Sequence, residues 1–163
     1  MTLVAIDGRA GAGKTTLAQQ FLEQWSATNT VAVIHMDDLY DGWDNALGNK
    51  LTQSLETIVK AHLNREEFEI DVYNWSTMKF DTRRRIKPVD ILILEGVGAG
   101  QKAVREAGAT LYWLDIEPEI GIKRVLARDG AQIIDQMKQW QIDQEIHFLG
   151  DKTRENAEHI QSS

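Results

Sequence analysis

Residues 8–15 read Gly8-Arg9-Ala10-Gly11-Ala12-Gly13-Lys14-Thr15 and match the spacing G-x-x-x-x-G-K-[S/T] in full. The run Leu3–Asp7 before this stretch is typical of a short buried strand. The apolar residues after it have helical spacing and are Leu17, Phe21, Leu22 and Trp25. A glycine-rich turn between a strand and a helix points backbone N–H groups inward, and the helix N-terminus adds partial positive charge. The stretch therefore predicts a phosphate-binding loop.

The residue types in this loop indicate its ligand. Its glycines permit positive φ and a close approach of the backbone to a bound group. Lys14 has the reach to contact the outer phosphates, and the Thr15 hydroxyl is suited to Mg²⁺. We therefore expect a nucleoside triphosphate, taken as ATP, with Mg²⁺. The expected nucleotide-binding residues are Gly8, Arg9, Ala10, Gly11, Ala12, Gly13, Lys14, Thr15 and Thr16.

Composition narrows the class of protein. The 163 residues are 42% hydrophobic and 26% charged, which predicts one domain, residues 1–163, with a substantial core. A net charge of −7 argues against non-specific binding to nucleic acid or to an anionic membrane. The lack of cysteine excludes disulfides and thiolate chemistry and fits a reducing compartment. No apolar run is long enough to span a membrane, and the first strand starts almost at Met1, so we expect a cytoplasmic protein.

Apolar runs and helical patterns alternate along the rest of the chain. Further strands are predicted at 31–35, 90–96 and 110–116, with a last short edge strand at 157–160. Helices are predicted at 51–63, 101–106, 118–128 and 131–148, and residues 66–75 fit a hairpin or an extended loop. The alternation predicts an α/β fold of the P-loop NTPase kind, a three-layer sandwich whose parallel five-stranded sheet has helices on both faces.

Acidic residues follow two of the predicted strands, where open α/β sheets bind ligands. Residues 36–44 are expected to form a loop because they include four aspartates and a glycine. Asp37 is favoured as the base facing an acceptor or as a metal partner, and Asp38 is its rival. Glu95 ends an apolar strand in the manner of a Walker-B acid. Thr15, Glu95 and Asp37 are therefore the expected Mg²⁺ residues.

Arginine and aromatic residues supply further candidates. Arg128, late in a helix, is expected to reach the phosphates from a short lid around residues 128–140, and Arg124 lies one turn earlier. The triplet Arg83-Arg84-Arg85 favours an exposed loop. Three tryptophans, Trp25, Trp113 and Trp140, are assigned to the core. The four histidines, His35, His62, His147 and His159, have no metal-ligand spacing and are assigned no chemistry. The expected acceptor-binding residues are Asp38, Tyr40, Trp43, Tyr73 and Trp75.

Taken together, these motifs resemble the uridine kinase, phosphoribulokinase and pantothenate kinase group of P-loop kinases, and most of all small uridine-kinase-like ATP-binding proteins. The resemblance runs through 8–16, 37–40, 73–75, 91–96, 124–129 and Ala157. It implies that Asp37 takes the proton of the acceptor hydroxyl and that Tyr40 is the tyrosine of the same family segment. It also implies that Tyr73 and Trp75 match the aromatic residues that line the family's nucleoside pocket. The chain departs from the family at 76–79, where uridine kinases carry a histidine, and in having no arginine between Arg128 and Arg154.

A small-molecule kinase is the favoured function. ATP with Mg²⁺ would donate its γ-phosphoryl group to a hydroxyl of a nucleoside-like or other small metabolite, with Asp37, Lys14 and Arg128 as catalytic residues. A nucleotide-binding module or weak ATPase without a small acceptor is the alternative, because the lid is poor in arginine. A regulatory GTPase is disfavoured: the only Asn-Lys pair, Asn49-Lys50, lacks the following aspartate, and no D-x-x-G occurs. The acceptor's identity and the oligomeric state stay open.

Overall fold

The central sheet forms where the sequence has short, continuous apolar runs. The computed structural model describes residues 1–163. Its strands are β1 (Thr2–Gly8), β2 (Val31–His35), β3 (Phe68–Asn74), β4 (Lys79–Ile86), β5 (Ile91–Glu95), β6 (Thr110–Asp115) and β7 (His159–Ser162). Its helices are α1 (Lys14–Trp25), α2 (Met36–Leu39), α3 (Asn49–Leu63), α4 (Lys102–Glu106), α5 (Pro118–Asp129) and α6 (Ile134–Asp151). Short 3₁₀ turns lie at Ala131–Ile133 and Arg154–Asn156.

Five of these strands make one parallel sheet in the order β2-β5-β1-β6-β7. Side chains alternate between its faces: Ala5 and Leu94 belong to one core, and Ile6 and Ile93 belong to a second core that α1 covers. The expected three-layer α/β sandwich with a five-stranded parallel sheet is confirmed. None of the helices is both long and apolar enough to cross a membrane.

The strand register gathers the functional candidates at one edge. In the register of the sheet, Ile6 of β1 and His35 of β2 both lie opposite Glu95 of β5. Because all three strands run in the same direction, the glycine-rich loop, the segment that contains Asp37 and the end of β5 emerge side by side.

The arginine triplet is not an exposed loop, and that expectation was wrong. Residues 83–85 lie in β4, which pairs antiparallel with β3 as a separate two-stranded hairpin. Acidic residues opposite the arginines offset their charges: Arg83 Nε lies 2.9 Å from Asp71 Oδ1, and Arg85 lies 3.1 Å from Glu69. A run of three arginines indicates an exposed loop when it is considered alone. Its strand conformation depends on the acidic residues of β3, which the hairpin places opposite the arginines.

Two other boundaries differ from expectation. Residues 36–39 form a short helix, α2, and not a loop, because Met36 and Leu39, three residues apart, are both buried on one side. The helix expected at 131–148 starts as a 3₁₀ turn after Gly130 and continues as α6 to Asp151. Gly130 has a φ of 99° and separates this segment from α5.

Candidate functional site

The glycine-rich loop joins β1 to α1 and is held against α5 by backbone contact. A Cβ added at Gly121 of α5 would lie less than 3.0 Å from the carbonyl oxygen of Ala10, which is closer than real Cβ atoms come. Gly13, at the start of α1, is the opposite case: its φ is 91° and no atom lies within 4 Å of an added Cβ. The loop therefore packs against α5 on one side and leaves open space at the N-terminus of α1, where a phosphate group would bind.

Lys14 and Thr15 start α1 and meet Glu95 at the end of β5. Lys14 is buried, and its Nζ donates to the Arg9 carbonyl oxygen at 2.8 Å. Burial lowers the pKa of Lys14, while Asp7, Glu95 and Asp37 act in the opposite direction. The Thr15 hydroxyl donates to Glu95 Oε1 at 3.1 Å. The predicted lysine, threonine and Walker-B acid are thus brought together.

Glu95 has a second partner that the sequence did not reveal. The Nδ1 atom of His35, the last residue of β2, contacts the same carboxylate oxygen. This hydrogen bond raises the pKa of His35, and burial opposes it. Metal-ligand spacing, which gives His35 no role, does not detect a histidine whose partner is a single carboxylate on a neighbouring strand. The parallel register, which sets His35 opposite Glu95, was the signal available.

The two neighbouring aspartates of α2 have different surroundings. The Asp37 side chain is accessible to solvent, and it lines the cavity described below. Although it is exposed, this carboxyl is partly desolvated by the protein around it, which raises its pKa, and nearby Glu95 raises the pKa further. Asp38 instead lies 3.6 Å from Arg84, which also donates to the carbonyl oxygen of Val33. The structure therefore brings Asp37, and not Asp38, to the cavity.

A cavity of about 360 Å³ connects the glycine-rich loop to an aromatic wall. Its polar end is formed by Lys14, Thr15, Asp37, Glu95, Arg128 and Asp129. Its remaining side is lined by Tyr40, Trp43, Trp75, Val97, Val125, Ile133, Met137 and Trp140, with the backbone of Ala10, Gly11 and Gly96. A volume of this size is within the usual range for small-molecule sites.

The aromatic wall is only partly the one expected. Tyr40, Trp43 and Trp75 line the cavity, whereas Tyr73 is buried behind Trp75 with ring centroids 4.8 Å apart. Trp140, assigned to the core from sequence, is buried but also lines the cavity, 6.0 Å from Trp43. Trp75 Nε1 donates to the Asp37 carbonyl oxygen at 3.1 Å, which holds the wall beside the carboxylate.

The two candidate arginines point to different partners. Arg128 lines the cavity, and its guanidinium donates two hydrogen bonds of 2.7 Å to Asp129. Arg124 donates to the Gly11 carbonyl oxygen at 3.3 Å and to Ser163 Oγ at 2.6 Å. It therefore contacts the back of the loop and does not line the cavity.

Helix α6 contributes contacts that the sequence analysis missed altogether. The Gln144 side chain is buried, and its Oε1 accepts a hydrogen bond of 3.0 Å from the backbone N–H of Ala10. Next to it, Glu145 pairs with Arg9, with Arg9 Nη2 and Glu145 Oε2 3.1 Å apart. One turn earlier the same helix presents Trp140 to the cavity. The available signal was Gln144 itself, a polar residue four positions after Trp140 on the buried stripe of α6.

These residues fit a nucleoside triphosphate with Mg²⁺. The open space at Gly13 and the α1 N-terminus suit phosphate oxygens, and a hydroxyl with carboxylates is the oxygen donor set that Mg²⁺ prefers. No group of three or more His, Cys, Asp or Glu side chains is placed to hold a metal ion alone. A magnesium ion here would therefore depend on phosphate oxygens and water for most of its coordination.

The known proteins that resemble this chain include kinases, one found by its sequence and others by their folds. A uridine kinase of Lactobacillus johnsonii is 24% identical over 144 residues, which are 80% of this chain and 68% of the relative. A possible uridine kinase from Bacillus stearothermophilus superposes with a TM-score of 0.69 at 20% identity, covering 98% of this chain and 87% of that one. A shikimate kinase from Bacteroides thetaiotaomicron superposes with a TM-score of 0.55 at 16% identity, covering 99% and 85%.

The predicted similarity to uridine-kinase-like P-loop kinases is confirmed by these comparisons, and the fold is that of P-loop kinases. A sequence profile, described as the CobW/HypB/UreG nucleotide-binding domain, matches residues 2–158, almost the whole chain. The chain therefore belongs to the CobW/HypB/UreG nucleotide-binding domain family.

Proposed function

We propose that this chain is an ATP-dependent kinase that transfers the γ-phosphoryl group to a hydroxyl of a nucleoside-like or other small metabolite. One observation carries the proposal: a single cavity joins the glycine-rich loop to a carboxylate and to an aromatic wall. A nucleotide-binding domain alone needs only the loop. A carboxylate beside the expected γ-phosphate position, with an apolar surface next to it, is what an incoming alcohol requires.

Each residue of the cavity has a role in this proposal. Bound ATP would supply the phosphoryl group, and Mg²⁺ near Thr15, Glu95 and Asp37 would offset its charge. Asp37 accepts the hydrogen bond of the acceptor hydroxyl and aligns its oxygen for in-line attack. Asp37 lines the same cavity as the glycine-rich loop, which is the placement that a proton acceptor for the bound alcohol needs. Lys14 and Arg128 stabilise negative charge on the phosphoryl group.

The pair Asp37 and Asp38 provides the test. In Asp37→Asn, phosphorylation of an accepted alcohol should fall at least about a hundredfold, the lower limit for general base catalysis. ATP affinity measured without Mg²⁺ should change little, because the carboxylate is expected to lie beyond the phosphate chain. Asp38→Asn is the matched control, since its carboxylate pairs with Arg84 outside the cavity, and it should keep most of the turnover. Equal turnover in wild type and Asp37→Asn would refute the role of Asp37.

A nucleotide-binding module or weak ATPase without a small acceptor is the second candidate. Its support is Arg128, the one lid arginine at the cavity, whose guanidinium is already engaged by Asp129. Nucleotide consumption measured with and without a panel of small alcohols separates the two functions. The kinase requires consumption that depends on an alcohol and yields its phosphate ester, whereas the binder gives the same slow rate in every mixture.

A further inference from the structure

We propose that the phosphoryl acceptor is an alcohol without phosphate or carboxylate groups, whose non-reacting part is an apolar ring. This inference rests on the proposed kinase function and narrows its substrate class. Phosphorylated and carboxylated alcohols would be excluded by charge, and alcohols without an apolar surface would bind weakly.

The distribution of charge in the cavity supports the exclusion of anions. Its lining contains two cationic side chains, Lys14 and Arg128, and three carboxylates, those of Asp37, Glu95 and Asp129. Lys14 belongs to the glycine-rich loop, and Arg128 is already hydrogen-bonded to Asp129. A bound triphosphate adds further negative charge at the same end, and one Mg²⁺ offsets only part of it. No cation therefore remains to pair with a second anionic ligand, which would be held near like charges in a partly buried site.

The aromatic end of the cavity has four polar side-chain groups, one hydroxyl and three indole N–H groups, and two of the four are already used. Tyr40 donates its hydroxyl to the Val97 carbonyl oxygen at 2.6 Å, and the Trp75 indole N–H is used by the Asp37 carbonyl oxygen. The neighbouring lining residues Ile133 and Met137 are apolar. A ligand with many hydrogen-bonding groups would leave several of them unpaired here, which is unfavourable in a partly buried site.

The arrangement of the tryptophan rings indicates which kind of ligand the aromatic wall binds. Trp43 meets Trp75 at 62° and Trp140 at 82°, with centroids 5.3 Å and 6.0 Å apart. Indoles that pack edge to face present their surfaces in different directions around one space, which suits apolar contact with a compact ring. The cavity of about 360 Å³ also has to admit the terminal phosphates, so the acceptor is small.

Three benzyl alcohols with different para substituents test the proposal. We would measure binding by calorimetry and tryptophan fluorescence in the presence of Mg²⁺ and a non-hydrolysable ATP analogue. The probes carry a carboxamide, an aminomethyl or a carboxylate group, so they share one skeleton and differ in charge. The uncharged and cationic probes should bind roughly tenfold or more tightly than the carboxylate. Equal or tighter binding of the carboxylate, or no binding of the carboxamide, would overturn the inference.

Matched variants locate the effect within the cavity. Ile133→Lys adds a cation to the lining and should improve carboxylate binding about fivefold or more. Ile134→Lys adds the same charge at the next residue, which is exposed and does not line the cavity, and should leave the ratio of the probes unchanged. Equal responses of the two variants would show that the selectivity arises elsewhere and would overturn the assignment.

A second pair of variants tests the apolar contact. Trp140→Leu should weaken binding of the carboxamide probe about tenfold, whereas Trp25→Leu, whose ring stacks on Phe21 away from the cavity, should not. An unchanged affinity in Trp140→Leu overturns the role of the wall. Binding of the ATP analogue alone is measured first, and an absence of that binding would refute the proposed function. If the analogue binds normally but the carboxylate probe binds as tightly as the other two, only this inference is refuted.

Discussion

Replacement of Gly121 by alanine tests whether α5 sets the position of the glycine-rich loop. Gly121 is buried in the first turns of α5, and an added Cβ would lie less than 3.0 Å from the Ala10 carbonyl oxygen. Because that oxygen belongs to the backbone, no side-chain rotation relieves the contact, and the loop must withdraw by several tenths of an ångström. Overpacking of this kind costs about 1–3 kcal/mol, and the better helix propensity of alanine returns at most about 1 kcal/mol.

With the full helix-propensity gain subtracted, the expected net effect is a loss of up to about 2 kcal/mol of unfolding free energy. For a chain of this size, such a loss lowers the Tm by up to about 8 °C. Turnover with a saturating alcohol should fall roughly tenfold or more, because small misplacements of phosphate-binding groups are costly in catalysis.

Gly150→Ala is the matched control for thermal unfolding and for nucleotide affinity measured by calorimetry. Gly150 also lies in a helix, α6, but nothing approaches its added Cβ, so alanine there should raise the Tm by about 2–4 °C and leave nucleotide affinity unchanged. If Gly121→Ala is as stable as Gly150→Ala and binds nucleotide normally, the contact between α5 and the loop does not position the loop.

Three further changes test other parts of the structure. Lys14→Ala should abolish turnover and weaken triphosphate binding, checked by calorimetry; wild-type affinity together with wild-type turnover would refute the loop as the donor site. Glu95→Gln should raise the Mg²⁺ concentration needed for half-maximal nucleotide binding, because the carboxylate beside Thr15 loses its charge, and an unchanged magnesium titration contradicts this. Arg154 holds the pKa of Asp115 below its usual range, so the stabilisation from this pair is present above about pH 4 and is lost as the pH falls further. The stability difference between wild type and Asp115→Asn, measured by urea unfolding, should accordingly be largest above about pH 4 and shrink as the pH falls below that value. A difference that stays constant with pH would exclude the pair as its source.

The sheet and the loop were predictable because each depends on local sequence. Strands β1, β2, β5 and β6 are continuous apolar runs, and the spacing of Gly8, Gly13 and Lys14 is specific to one kind of loop. These features predicted the fold class. The sequence also favours Asp37 over Asp38, and of the two only Asp37 lines the cavity.

The features of the site that the sequence did not predict depend on contacts between segments that are far apart in the chain. Arg84 explains why Asp38 faces away from the cavity, yet 46 positions separate them, and a sequence scan sees only a run of three arginines. Helical spacing shows that Trp140 is on the buried side of its helix. It does not show whether that side packs in the core or lines a cavity, so Trp140 was assigned to the core. The contact of Gln144 with Ala10 joins residues 134 positions apart, and only the tertiary structure reveals it.

Helix α6 has a thermodynamic consequence, because it contacts both halves of the site. It touches the glycine-rich loop through Gln144 and Glu145 and the proposed acceptor space through Met137 and Trp140. Any displacement of α6 caused by one ligand changes the contacts that the other ligand meets. By linkage, the factor by which nucleotide changes acceptor affinity equals the factor by which acceptor changes nucleotide affinity. The nucleotide and the proposed acceptor would therefore share one coupling free energy, carried by contacts of the same eighteen-residue helix.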